Sequence, residues 1–186
     1  MKFEYKLRGT GWASFNIEIN SQSYSFSPGY LTDALGGILN AIKEIHPLFD
    51  TEGDYKEYGS NYTWDAEPAI LKWNLKYIDN EKILINLTYF EDDEEDGVVV
   101  LNEECLYDVF LKEVLREVEL ILVEYGIVGY KEMWVENEFP LSTFLELKFY
   151  LENKKRFPIA TNIVAYKETR KSDLKFELDF INKMKY

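Results

Sequence analysis

The sequence predicts an α+β fold: an antiparallel sheet of about six strands in the order βββα-βββα-α, with helices packed on one face. Three observations carry this. Apolar residues alternate with period two over residues 2–28 and again over 61–90. Two stretches, near 28–46 and 102–125, instead repeat their apolar residues at helical spacing. Short turn signals, not long crossovers, separate the strands, and short connections favour antiparallel pairing.

Each element has its own local reason. Phe3, Tyr5 and Leu7 share one face, as do Ala13, Phe15, Ile17 and Ile19, with Gly9-Thr10-Gly11 between them, so residues 2–19 read as a hairpin. Asn20-Ser21 turns the chain into a third strand, Ser23 to Ser27. Ser27-Pro28 resembles an N-cap followed by proline at the first helical position. The helix it opens carries Leu31, Ala34, Leu35, Ile38, Ile42 and Ile45 on one side and ends at His46-Pro47. Gly36 falls on its far side, away from the expected core. Residues 47–60 form a polar connection. Strands follow at Tyr62 to Glu67, Ile70 to Ile78 and Ile83 to Phe90, with Asp79-Asn80 as a turn between the last two. Val98 to Leu101 adds a short strand or leads into the next helix.

That helix, expected over Asn102 to Tyr125, has a wide apolar stripe containing Phe110, Val114, Val118 and Ile121. A narrower group is formed by Val109, Leu120 and Val123. A surface helix ordinarily has one stripe, so two suggest burial between layers, with the C-terminal region covering the narrow one. Gly126 and Gly129 are expected to break the helix. A further helix is expected at Leu141 to Asn153 and a strand at Ile159 to Tyr166. Residues 172–185 alternate as a strand would, yet Ser172 offers a cap, and the reading leans to a helix.

The chain has 186 residues, 46% hydrophobic and 16% aromatic, which excludes a disordered chain. Its net charge of −13 argues against a phosphate backbone as partner. The charge is uneven: residues 1–147 carry 11 basic and 29 acidic side chains, residues 148–186 carry 10 and 5. This divides the chain into an α+β domain over 1–155 and a basic C-terminal extension over 156–186. The extension either docks back on its own domain or serves as a separate binding element. No apolar run reaches the length of a membrane span, and the first residues lack the apolar region of a signal peptide, so a cytoplasmic protein is expected.

Little in the sequence points to catalysis. There is one histidine, His46, expected to cap a helix end or face solvent, and one cysteine, Cys105, expected to be an inert, partly buried thiol. Asp65 and Glu67 are expected to face solvent. No phosphate-binding glycine loop is present, and no cofactor or metal is expected. The run Glu91 to Asp96 lacks the spacing of a calcium loop and reads as a solvated loop. Trp12, Trp64 and Trp73 in strands and Trp134 in a linker read chiefly as core, and aromatics on the open sheet face are the candidates for a ligand groove.

Gly9-Thr10-Gly11-Trp12-Ala13, Tyr30-Leu31-Thr32-Asp33-Ala34-Leu35 and Glu67-Pro68 followed by Trp73 together resemble an uncharacterised family of small bacterial cytoplasmic proteins, with Tyr130 to Trp134 as a fainter echo. The resemblance covers residues 3–90. It implies a bacterial origin and a place among small proteins that neutralise toxins, and it implies no catalytic residue.

The functional expectation is a non-catalytic interaction protein, in its sharpest form an immunity protein. Its acidic surface, with Asp92, Asp93, Glu94, Glu95 and Asp96 as the contact, would meet a basic toxin domain. The alternatives are a small-ligand-binding module with an aromatic pocket between sheet and helix, and a hydrolase built on carboxylates.

Overall fold

The computed structural model describes residues 1–50, 53, 57–79, 81–92, 96–135 and 137–183, the side chain of Val164 excepted. The fold is α+β with antiparallel sheets and four helices among these residues. The seven strands of the body form two sheets, where the sequence suggested one. The first is β1 (Lys2–Leu7), β2 (Ala13–Ile19) and β3 (Gln22–Phe26), in that order. The second is β4 (Ser60–Ala66), β5 (Ala69–Tyr77), β6 (Lys82–Phe90) and β7 (Val98–Leu106), also in chain order. Helix α1 (Ala34–Glu44) packs on β4, and α2 (Tyr107–Met133) on β1.

The two sheets share one core. Phe15 of β2 meets Trp64 edge-on at 4.8 Å and Trp73 at 5.3 Å, while Phe3 of β1 meets Phe110 of α2 at 6.0 Å. Tyr5, Phe15, Trp64, Trp73 and Phe110 are all fully buried. The sheets meet at β3 and β7 through side chains, with the Asn102 amide donating to Gln22 Oε1 at 3.0 Å. No ladder joins them, which is why one sheet became two.

Both long helices depart from the sequence reading at their ends, and the free edge of β1 is covered, each for an identifiable reason. First, the helix expected to open at Ser27-Pro28 opens at Asp33. The main chain of 28–30 is already engaged. The Pro28 carbonyl accepts from Ala13, the Gly29 amide donates to Asp65, and the Tyr30 amide donates to Gly11. Asp33 is the true cap, its Oδ1 accepting from the Gly36 amide at 3.0 Å. Gly36 is buried, not outward, because the Asp33 carboxylate fills the place of a side chain there. Gly37 leaves room for the Tyr62 ring, whose hydroxyl donates to the Asp33 carbonyl.

Second, Asn102 to Leu106 continue β7 where helix was expected. They pair with Lys82 to Asn86 of β6, and cross-strand pairing outweighs the helix preference of two glutamates. The helix begins at Tyr107, pinned by its amide on the Glu81 carbonyl and its hydroxyl on the Ile42 carbonyl. It then runs past the glycines to Met133, with a kink at Gly126 (φ 67°, ψ 177°). Its wide stripe is buried as expected, but Val109, Leu120 and Val123 are exposed. The C-terminal region does not cover them.

Third, β1 is an edge strand protected by α2. The buried Glu117 carboxylate accepts from the Tyr5 amide at 3.3 Å and pairs with Arg116, which also reaches the Phe3 carbonyl. Side-chain groups thus occupy backbone positions that a further strand would need.

Helix α3 (Leu141–Asn153) falls where expected and packs on α2. Beyond it come a separate hairpin, β8 (Ala160–Val164) and β9 (Lys167–Lys171), and α4 (Leu174–Asn182). The leaning to helix at the end is borne out, though Asp173, not Ser172, caps it. Phe176 and Phe180 of α4 pack on Phe149 and Phe157, and Lys154 pairs with Asp108.

Candidate functional site

Alternation along β1 and β2 fixes what their outer face presents. If Phe3, Tyr5 and Phe15 point inward, then Glu4, Lys6, Ser14 and Asn16 point outward. Register then aligns them: Glu4 stands beside Asn16, Lys6 beside Ser14, and Asn16 beside Ser25. A hydrogen-bonded row crosses the sheet. Lys2 pairs with Glu4 at 3.0 Å, Asn16 donates to Glu4, and Ser25 donates to Asn16 at 2.9 Å. Arg8 donates to Ser14 at 2.9 Å. The hydrogen bond from Lys2 holds the Glu4 carboxyl below its usual range; desolvation opposes it, and the Lys2 charge, the Asn16 hydrogen bond and the Lys6 charge add to the lowering.

This polar row floors a groove of about 670 Å³. The groove wraps the β3 edge: Trp12 borders it, and Tyr24 and Phe26, on the face of β3 opposite Ser25, line it together with Tyr89. Tyr89 comes from the second sheet, and its ring lies 6.4 Å from both Tyr24 and Phe26. Partial burial raises the Tyr24 hydroxyl pKa, and Tyr89 adds to this. Such a surface offers fixed donors, one carboxylate acceptor and flat apolar rings. That is equipment for recognition, and the row is aligned before anything binds.

Three of the sequence motifs converge at the end of the groove. Trp12 bridges to Gly29, the Gly29 amide reaches the Asp65 carbonyl, and Tyr30 and Leu31 lie against Asp65 to Glu67. The fainter echo joins them: the Gly11 amide donates to the Met133 carbonyl, and Trp134 Nε1 donates to the Thr32 carbonyl. Residues from Gly11 to Trp134 thus form one corner, from which Trp12, Tyr30 and Leu31 project at 44%, 44% and 49% exposure. Trp64, Trp73 and Trp134 are core, as expected, whereas Trp12 lies outside the ladder and is exposed.

The acidic loop is rooted beside the same groove. It begins directly after Tyr89-Phe90, and the Phe90 ring is held between Lys72 Nζ, at 4.2 Å from its centroid, and Gly97, where a Cβ would clash with it. Asp92 and Asp96 are exposed; Asp93, Glu94 and Glu95 lie outside the described residues. The sequence reading missed Tyr24, Tyr89 and the polar row. The signal was available for the row, in the polar half of the β1–β2 alternation, but Tyr89 reaches the groove only through tertiary packing.

The expected chemistry-bearing residues lie elsewhere. His46 is not at the surface. It is walled by Phe49, Tyr77, Tyr107 and Tyr150, its Nδ1 accepts from the Leu48 amide at 3.1 Å, and burial lowers its pKa to about 4. It is a neutral turn-closing group. Cys105 is half-buried in β7, and burial pushes its thiol up to about 12. Asp65 is half-buried and its Oδ1 accepts from the Glu67 amide at 2.9 Å. Among the described residues no cluster of His, Cys, Asp and Glu could hold a metal ion, and no helix is long and apolar enough to cross a membrane. Between sheet and helix lies a smaller cleft of about 350 Å³, lined by Leu7, Arg8, Leu120, Ile121 and Tyr125. The chain matches no family model, no curated protein and no solved structure.

Proposed function

We propose that this is a non-catalytic interaction protein that seats a basic protein partner along the groove walled by Trp12, Tyr24, Phe26 and Tyr89. The observation that carries the reading is continuity. Aromatic anchors and a polar floor line one groove, and Tyr89, one of those anchors, stands three residues before Asp92 in the chain. Interfaces draw most of their energy from a few well-packed aromatic residues, while exposed charge acts on the encounter rate. In this reading Trp12 and Tyr89 anchor, and Asp92 to Asp96 steer. Its sharpest form is an immunity protein for a toxin with a basic, substrate-binding surface.

The test is affinity capture from the source organism with the wild-type chain and with Trp12→Ala/Tyr89→Ala, followed by association kinetics at low and high salt. A basic protein should be retained by the wild type and lost with the double variant. Neutralising the loop carboxylates to Asn and Gln should slow association and flatten its salt dependence. Equal retention by both chains would refute the assignment. A second reading, a low-mass ligand in the cleft between β1 and α2, is favoured by the mixed apolar and charged lining of Leu120, Tyr125 and Arg8. Native mass spectrometry separates the two, since a bound small molecule would add mass with no protein present.

A further inference from the structure

The β8–β9 hairpin stands apart from the rest of the fold. Among the described residues its two strands pair only with each other, over five residue pairs from Ala160↔Lys171 to Val164↔Lys167. Every described side chain from Pro158 to Lys175 is exposed, Ile163 at 68% and Tyr166 fully. A two-stranded hairpin with neither face covered is marginal in water, so a third strand or a packing partner is what such an element lacks.

The two edges differ. The outer edge of β9 carries Lys167, Glu168, Arg170 and Lys171, the kind of charged edge that resists pairing. The edge of β8 carries none: the ten residues from Phe157 to Tyr166 contain no charged side chain, and Ala-Thr-Asn-Ile-Val is a strand-forming run. One edge is guarded and the other open.

We infer that β8 is a self-association strand, pairing antiparallel with β8 of a second copy to give a four-stranded sheet in the order β9-β8-β8-β9. Charge selects this occupant. Residues 154–171 carry six basic side chains and one acidic, on a chain whose residues 1–147 carry 11 basic and 29 acidic. Pairing through β8 puts the two uncharged strands side by side and leaves both basic β9 strands outermost, where they do not oppose each other. It also brings each basic arm toward the acidic body of the other copy, which offsets repulsion between two molecules of net charge −13. Register suits a twofold axis at Asn162: Ile163 then stands opposite Thr161, Val164 opposite Ala160, and Pro158, which has no amide hydrogen, lies beyond the ladder.

The experiment is sedimentation equilibrium on the full chain and on Thr161→Lys/Ile163→Lys, with far-UV circular dichroism and thermal melting as folding controls. Both positions are exposed, so the variant should fold and melt as the wild type does. The wild type should sediment at twice the 22.0 kDa chain mass and the variant at the chain mass. Amide exchange should show β8 protected in the wild type and unprotected in the variant. A monomeric wild type at all concentrations would overturn the inference, as would a dimer that survives both lysines with β8 amides equally exposed in both proteins.

Discussion

Trp64 offers a stability experiment with a built-in control. It is fully buried, its ring edges onto Phe15, Trp73 and Tyr5, and its Nε1 donates to the Ala34 carbonyl at 3.0 Å. Trp64→Phe keeps an aromatic ring but removes the donor. The Ala34 carbonyl, in the first turn of α1, keeps its helical partner four residues on, so the loss is that of one hydrogen bond, about 0.5–1.5 kcal/mol net. Weakened edge contacts and lost volume add about 0.5–1.5 kcal/mol. The sum is about 1–3 kcal/mol, or roughly 2–12 °C in melting temperature for a chain of this size. Trp73 is just as buried, yet its Nε1 has no hydrogen-bond partner. Trp73→Phe therefore loses ring volume but no hydrogen bond, and should cost only about 0.5–1.5 kcal/mol. Urea denaturation followed by far-UV circular dichroism measures both without relying on tryptophan emission. Equal losses in the two variants would show that the bond to Ala34 contributes nothing and that the α1 start is held by other means.

Three further outcomes are expected. Burial holds the His46 pKa at about 4 against an ordinary 6.5, so its contribution is complete above pH 6.5 and is lost as pH falls toward 4. The stability advantage of the wild type over His46→Asn, which keeps an acceptor for the Leu48 amide, should shrink between pH 7 and pH 4.5. Urea midpoints at the two pH values check this, and an unchanged or growing advantage contradicts it. Gly37→Ala should destabilise strongly, because the new methyl would sit 1.8 Å from the Tyr62 ring. Gly129→Ala meets nothing closer than 3.7 Å and should stabilise by about 0.5–1 kcal/mol; thermal melts of the pair should move in opposite directions. Glu117→Ala should cost roughly 1–3 kcal/mol by orphaning the Tyr5 amide, and exchange at that amide should quicken.

Much of the fold was legible because its signals are local. The alternation of Phe3, Tyr5 and Leu7, and of β5 and β6, reports burial on one face directly. What failed was decided at a distance. Ser27-Pro28 has the chemistry of a helix start, but its backbone is taken by Ala13 and its neighbour's by Asp65. Asn102 to Leu106 could have been helix until β6 offered a ladder. The motifs Gly11-Trp12, Tyr30-Leu31 and Glu67 were visible as strings, yet their meeting at one corner depends on contacts that no spacing rule encodes. The groove was half legible: its polar floor follows from strand parity, whereas Tyr89 arrives from another sheet.

The bond from the Gly11 amide to the Met133 carbonyl, and the cover that Glu117 gives to β1, set a timetable for synthesis. The first strand is made early, but the groups that satisfy its outer edge come from the second half of the chain. At about 5–20 residues per second, the roughly 120 intervening residues take about 6–24 s to emerge. For that interval the nascent hairpin Lys2–Ile19 presents an unshielded edge and an apolar face bearing Phe3, Tyr5 and Phe15. A holdase that recognises extended apolar segments should engage that stage and release once α2 has left the ribosome. Chains stalled before residue 117 should remain chaperone-bound, and those stalled well beyond 133 should not.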